Sequence, residues 1–234
     1  MNYYAYGRAD ARFLLIQPEG EHHAESEKKE AELIREFSDA ADYRLIVVPV
    51  NSWDEDLSPW DAPPVFGKVP FGHGAKETLR RIEEELLPEL LQKHREPFVN
   101  EKGASEEYQP PFVVLGGYSL AGLFAFYAAF ESECFDAVSA CSPSVWFPGF
   151  LDYVKEHEIH ARNVYLSLGD REEKAKNRVF AAVGGCIREC DRILKERGVN
   201  SVLAWNSGNH FVDGEMRTAK GFAWTIRELM KEER

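Results

Sequence analysis

Cysteine is scarce in this chain: its 234 residues hold four, Cys134, Cys141, Cys186 and Cys190. They form no paired C-x-x-C pattern, which excludes a zinc ribbon, and four in a chain this long make no disulfide framework. Cys186 and Cys190 stand one helical turn apart and read as small buried hydrophobes. No run approaches the roughly 18 to 20 apolar residues of a membrane span. The opening MNYYAYGRADARF has neither the basic region nor the apolar run of a secretory signal, so a cytoplasmic protein with no membrane partner is expected. Positive charge is in deficit, with 28 Lys and Arg against 40 Asp and Glu and a net charge of -12. Binding phosphate needs local positive charge, so nucleic acid and anionic lipid are excluded as partners. Repeats, low-complexity linkers and the Gly-Lys-Ser/Thr of a P-loop are missing as well.

What is present is a full core's worth of apolar residues, 44% of the chain, arranged in two alternating textures. ARFLLIQ (11–17), YRLIVVPV (43–50), PFVVLGG (111–117), AVSACS (137–142), NVYLSLG (163–169) and SVLAWNS (201–207) are too continuous to have a wet face. They predict buried parallel strands. Between them, Leu33, Ile34, Phe37 and Ala41 mark one helical stripe and Leu79, Ile82, Leu86, Leu90 and Leu91 a second. The last segment places Met216, Ala219, Ala223, Ile226 and Met230 on one face. Alternation of strand and helix predicts right-handed crossovers and a doubly wound, mostly parallel sheet of about six strands in a three-layer α/β domain spanning residues 1–234.

Ligands of such sheets bind beyond the carboxyl ends of the strands. LGGYSLAG puts Ser119 there, on a turn from strand to helix. A nucleophile on a turn that tight needs small residues two before and two after it, and Gly117 and Ala121 meet that demand. The turn also aims the Leu120 N–H at the place where an oxyanion would form. A dinucleotide-binding reading of the same glycines fails, because no acidic residue ends the next strand. A quiet glycine turn with an incidental serine fits these residues equally well on their own, so the decision lies with the partners.

Serine is a poor nucleophile without a histidine base and a group that orients it. Of seven histidines, His210 in GNHF directly follows the last apolar run. His157 and His160 lack a third metal ligand nearby and read, like His94, as solvated; His22, His23 and His73 could line a site. Asp170, Glu172 and Glu173 in GDREE all follow the fifth apolar run, and either Asp170 or Glu172 can serve as the orienting acid. No metal and no organic cofactor is called for.

GYSLAG, GDRE and GNHF, in that order at those strand ends, resemble the esterase family of the α/β-hydrolases that includes enterochelin esterases, feruloyl esterases and formylglutathione hydrolase. The resemblance covers most of the chain and is strongest from Phe112 onward; Ala121 stands where the family usually has the last glycine of G-x-S-x-G. It implies an α/β-hydrolase fold with a trimmed core, Ser119 as nucleophile, His210 as base and Glu172 as acid. It further implies a second oxyanion donor in the loop after the first core strand, QPEGEHH. Pro18 has no N–H, which leaves Gln17, Glu19 or Gly20, with Gln17 favoured. Residues 51–75, rich in Pro and Gly and carrying Trp53, Trp60, Phe66 and Phe71, are expected to form a cap over Ser119. Trp53, Trp60 and Trp146 would then contact a small or aromatic ester, unless these aromatics pin the loop to the core. The expected activity is serine carboxylester hydrolysis of a small-molecule ester. Acyl transfer or thioester cleavage with the same residues, or a binding protein on a hydrolase scaffold, are the alternatives.

Overall fold

The computed structural model describes residues 1–39, 42–65, 67–98 and 108–232. The strands are β1 (Tyr4–Gly7), β2 (Phe13–Glu19), β3 (Tyr43–Pro49), β4 (Phe112–Tyr118), β5 (Ala137–Cys141), β6 (Asn163–Gly169) and β7 (Asn200–Asn206). The helices are α1 (Ala24–Ser38), α2 (Trp53–Asp56), α3 (Ala75–Arg81), α4 (Leu87–Arg95), α5 (Leu120–Glu131), α6 (Phe150–Glu156), α7 (Arg178–Ala181), α8 (Val183–Glu196) and α9 (Gly214–Glu232). A π-helical turn, Ile82–Leu86, joins α3 to α4 without a break.

The strands form one sheet in the order β1-β3-β2-β4-β5-β6-β7. Six pair in parallel; β1 is the exception, running antiparallel to β3 with Tyr4 opposite Val47. The sheet thus has seven strands where six apolar runs are legible. Three of the four β1 residues are exposed, so this edge strand carries no apolar run and is held by ladder bonds and tyrosine propensity for the pleat. The chain winds one way through β2 and β3 and the other way from β4 to β7, so the winding reverses between β2 and β4. A crevice opens at the carboxyl ends of strands at such a switch point.

Side chains alternate across the sheet. Leu14, Ile16, Ile46, Val48, Val113 and Leu115 face one apolar layer with α3 to α6 and α8, whereas Phe13, Leu15, Leu45, Val47 and Val114 face another with α1 and α9. Helix α5 is buried on all sides, every residue from Leu120 to Phe130 being inaccessible, because it lies between the sheet and the helices outside it. The expected faces of two other helices need correction. Ala219, Ala223 and Ile226 of α9 are buried as expected, but Met230 is exposed and Met216 only half-buried; the rest of the buried face is Thr218, Gly221, Phe222, Thr225 and Leu229, with Arg217 beside it. In α1, Ile34 is buried, while Leu33 and Phe37 are half-buried and the positions beneath include Glu27, Glu30 and Ser38. Ala41, the last position of that stripe, lies outside the described residues, as do Phe66 and residues 99–107. His94 is not solvated: it is buried against Phe98 and Tyr108, and burial lowers its pKa.

Among the described residues, no helix is long and apolar enough to cross a membrane, and no group of three or more His, Cys, Asp or Glu is placed to hold a metal ion. All four cysteines are free thiols, with Cys141 and Cys190 buried and Cys134 exposed.

Candidate active site

Ser119 sits between the last residue of β4 and the first of α5 with φ 60° and ψ -118°. Non-glycine residues avoid positive φ, at a strain of about 1–3 kcal/mol, so the surroundings must impose it. They do so through the backbone: Ser119 N–H donates to the Cys141 carbonyl (3.0 Å), and the Ser119 carbonyl accepts from Leu123 (3.0 Å) and Ser144 (3.1 Å). Packing closes the turn further. A Cβ on Gly117 would lie 2.7 Å from both the Cβ and the carbonyl carbon of Ala121. The methyl of Ala121 therefore fits because Gly117 has none: a tight turn needs one of this pair to be glycine, and here it is the first.

His210 lies on the turn between β7 and α9, and its ring bridges two side chains. Nε2 is 2.9 Å from Ser119 Oγ and Nδ1 is 2.7 Å from Glu172 Oε2. Glu172 opens a 3-10 turn just past β6 and is 6% exposed. Its other oxygen, Oε1, accepts from the Gly169 N–H (2.7 Å), Ser142 Oγ (2.8 Å) and Arg217 Nη1 (2.9 Å). Three donors on Oε1 leave Oε2 to His210. Burial alone would push the Glu172 carboxyl up; hydrogen bonds from His210, Gly169 and Ser142 outweigh it and hold the group below the usual carboxylate range. Asp170 is turned away from His210: its Oδ1 accepts from the Gly208 N–H (2.9 Å) and so fixes the loop that carries the histidine. Gly169 is needed for that loop's approach, since a Cβ there would run into the Gly208 carbonyl and lie 2.9 Å from the Arg217 guanidinium.

Three contributors escape a sequence reading. Arg217, 1% exposed at the start of α9, donates through Nη1 to Glu172 and to Tyr118 Oη (3.0 Å), and through Nη2 to the carbonyls of Ser207 (3.0 Å) and Asn209 (2.9 Å). It thereby ties the acid to the histidine loop. Tyr118 donates its hydroxyl to the His210 carbonyl (2.8 Å), and burial pushes its pKa up to about 12, keeping it a donor at any physiological pH. Ser142, with φ 42°, supplies the third anchor of Glu172. The only available signals were the tyrosine inside GYSLAG and the polar residues of CSPS at a strand end; Arg217 gives none.

No protein-family model matches the sequence, and no curated protein matches it significantly. Solved structures do match. An IroE-like serine hydrolase from Shewanella oneidensis superposes with a TM-score of 0.70 at 16% identity, over 99% of this chain and 76% of that one. The fold is that of the α/β-hydrolases. Siderophore hydrolase EstA from Aspergillus nidulans agrees, with a TM-score of 0.63 at 19% identity over 97% of this chain and 84% of that one. So does the enterobactin esterase FES from Shigella flexneri, with a TM-score of 0.63 at 19% identity, although this chain spans only 55% of that one.

On this α/β-hydrolase sheet, two cavities meet at Ser119. The first, about 470 Å³, is walled by Pro143, Trp146, Phe180, Val183 and Phe211, with His210 and Glu172 at its floor. The second, about 220 Å³, lies over the end of β2 and the start of α1, and Trp53 lines it. Trp146 and Trp53 thus line different cavities, each of which Ser119 also lines. Trp60 does not. It packs against Phe147, Phe150 and Tyr153, with Nε1 donating to the Pro148 carbonyl (2.8 Å), so it pins residues 51–75 to the core. Phe71 packs likewise on Trp146 and Phe147. Of the described residues of this insertion, Trp53 alone lines a cavity bordered by Ser119, so the expected cap is a buttress beside the site.

Leu120 is the first residue of α5, where the helix offers its N–H no partner, and that N–H lies next to Ser119. Gln17 lies in β2 itself. The β2–β4 ladder stops at Ile16 opposite Leu115, while the β2–β3 ladder continues to Glu19, so from Gln17 onward the β4-facing edge of β2 has no β4 partner. Pro18, which lacks a donor, falls in this overhang.

Proposed function

We propose that this α/β-hydrolase is a serine carboxylester hydrolase. The observation that carries the proposal is His210, whose ring lies 2.9 Å from Ser119 Oγ and 2.7 Å from Glu172 Oε2. In this reading Ser119 attacks the ester carbonyl while His210 Nε2 takes its proton. The tetrahedral oxyanion is held by the Leu120 N–H, with the Gln17 N–H as second donor. As the carbon–oxygen bond breaks, His210 returns the proton to the leaving alkoxide. Water, deprotonated by His210 in turn, then attacks the acyl-serine ester and releases the carboxylic acid. Glu172 remains ionised, holds the imidazole in one tautomer and stabilises its charge. As the acyl–Oγ bond breaks, His210 returns the proton it took from water to Ser119 Oγ, and the starting state is restored.

The leaving oxygen must come within reach of His210 Nε2. His210 lines the aromatic cavity and not the smaller one, which supports placing the alcohol portion against Trp146, Phe180 and Phe211. The structural neighbour named as an enterobactin esterase supports an ester as substrate class.

The test is turnover of a panel of p-nitrophenyl, aryl and thio-esters by the protein and by Ser119→Ala. Loss of about 10⁶ in kcat is expected, by analogy with other triads; hydrolysis that survives the substitution would sink the mechanism. Product analysis with added acceptor alcohols distinguishes hydrolysis from acyl transfer.

A further inference from the structure

The smaller cavity beside Ser119 is unlike the aromatic one. Carboxylates wall it, including Glu19, Glu27, Glu30 and Glu215, and among the described residues no lysine or arginine lines it. Most of these groups are engaged. Glu27 accepts from the Tyr6 hydroxyl (2.8 Å), the His23 N–H (2.8 Å) and His22 Nδ1 (2.9 Å), and Glu215 accepts from Ser26 (2.8 Å). Glu30 is the exception. It is 4% exposed, accepts one long hydrogen bond from Gln17 Nε2 (3.3 Å), and its Oε1 has no partner. Gln17, 2% exposed, likewise leaves its Oε1 without a partner in the same wall.

Two buried acceptors without donors, on residues that line one cavity opening on the nucleophile, are costly to leave unsatisfied. A ligand with several N–H donors and a positive charge would satisfy both. Burial, together with the neighbouring Glu19, Glu215 and Glu27, pushes the Glu30 carboxyl well above the usual range, so these surroundings disfavour a negative charge that a bound cation would restore. Trp53 completes the wall with an aromatic face that suits methylenes or a cation. The chemistry required is that of a protonated amine.

We infer that this cavity is the acyl subsite of an ester whose acyl chain carries an ammonium group, received by Glu30 and the Gln17 carbonyl oxygen. The inference rests on the esterase reading above. There the alcohol portion occupies the cavity with His210, so the acyl chain runs the other way across Ser119.

The experiment compares kcat/KM for p-nitrophenyl 3-aminopropanoate with butanoate, and for 6-aminohexanoate with heptanoate, in the protein and in Glu30→Gln. In at least one pair the ammonium ester is expected to be preferred by about 10-fold or more, the scale of a charge-assisted hydrogen bond, and the preference should collapse in Glu30→Gln. Equal rates within both pairs, or a preference that survives in Glu30→Gln, would overturn the inference and leave the esterase reading standing. Calorimetric titration of Ser119→Ala with hexylammonium reads the cavity without turnover. Binding that disappears on adding Glu30→Gln supports the subsite even if no ester is cleaved, an outcome that would defeat the esterase reading alone; absent binding there overturns the subsite. Should Glu30→Gln not fold, the ester pairs on the unaltered protein decide by themselves, and no ammonium preference overturns it.

Discussion

Replacing Arg217 by Met removes a buried cation that makes five hydrogen bonds, to Glu172, Tyr118, Ser142 and two carbonyls of the histidine loop. Methionine keeps much of the volume, so the loss is electrostatic. Breaking a buried ion pair by removing one partner costs about 3–5 kcal/mol. The orphaned carbonyls of Ser207 and Asn209 lie nearer solvent, so they can regain water and add little. Against a total stability of about 5–15 kcal/mol that is a large fraction. At roughly 2–4 °C per kcal/mol for a chain of this size, Tm should fall by about 10 °C. Activity should fall too, because Glu172 loses one of the three donors on Oε1 and the His210 turn two of its ties; a displacement of about 1 Å costs on the order of 10²-fold in rate. Differential scanning calorimetry reads the first effect, and ester turnover well below the lowered Tm reads the second. Arg217→Lys should recover part of the stability, since it keeps the charge beside Glu172, but little of the rate, since it cannot also reach both carbonyls. A Tm within about 2 °C of the parent and unchanged kcat for Arg217→Met would refute the reasoning.

Other consequences are as specific. Gly117→Ala forces a methyl to 2.7 Å from Ala121, so the turn must open; a loss of about 1–3 kcal/mol by denaturant titration, with activity falling with it, is expected. Glu30→Gln should raise Tm in the ligand-free protein at neutral pH by roughly 2–4 °C for each kcal/mol relieved. The native Glu30 carboxyl is raised, so the cost of ionising it grows as pH climbs from its unfolded value toward its native one; at pH about 4 the two proteins should melt together. Glu172 has the opposite sign. Its native pKa is lowered, so the stability it brings is complete above pH about 4.5 and is lost as pH falls through its native value. Glu172→Gln should flatten that acid limb of a Tm-against-pH curve.

The six parallel strands are legible as apolar runs: the five inner ones are covered on both faces and must be apolar throughout, and β7, a half-buried edge, still carries Val202, Leu203, Ala204 and Trp205. β1 is not, because it has a single half-buried side chain, Tyr6, and an edge strand that exposed satisfies its ladder with any residue that tolerates the pleat. The turn at Ser119 can be read from its small flanking residues, and His210 from its place just after the last run. Which of Glu172 and Asp170 approaches His210 is not legible: both follow β6 within reach of the same loop, and it is the 3-10 turn that brings Glu172 to the ring while Asp170 bonds Gly208. Arg217 is hidden for a different reason. A charged residue next to an apolar helical stripe reads as solvated, and nothing local signals that α9 begins directly beneath the histidine loop. The same limit added Met216 and Met230 to a face on which Ala219, Ala223 and Ile226 are buried as expected, and it missed the small residues Thr218, Gly221 and Thr225 that let the helix lie close to the sheet. Trp60 shows how an aromatic in a long insertion can serve packing, since only its contacts with Phe147, Phe150 and Tyr153 separate buttress from lid.

The claim that Ser119 is a nucleophile activated by His210 is tested most directly by covalent labelling. Intact-mass spectrometry after exposure to a fluorophosphonate should show one adduct per chain, mapped to Ser119, abolished in Ser119→Ala and slowed by several orders of magnitude in His210→Ala. No adduct on the unaltered protein, or an adduct that persists in Ser119→Ala, would contradict it.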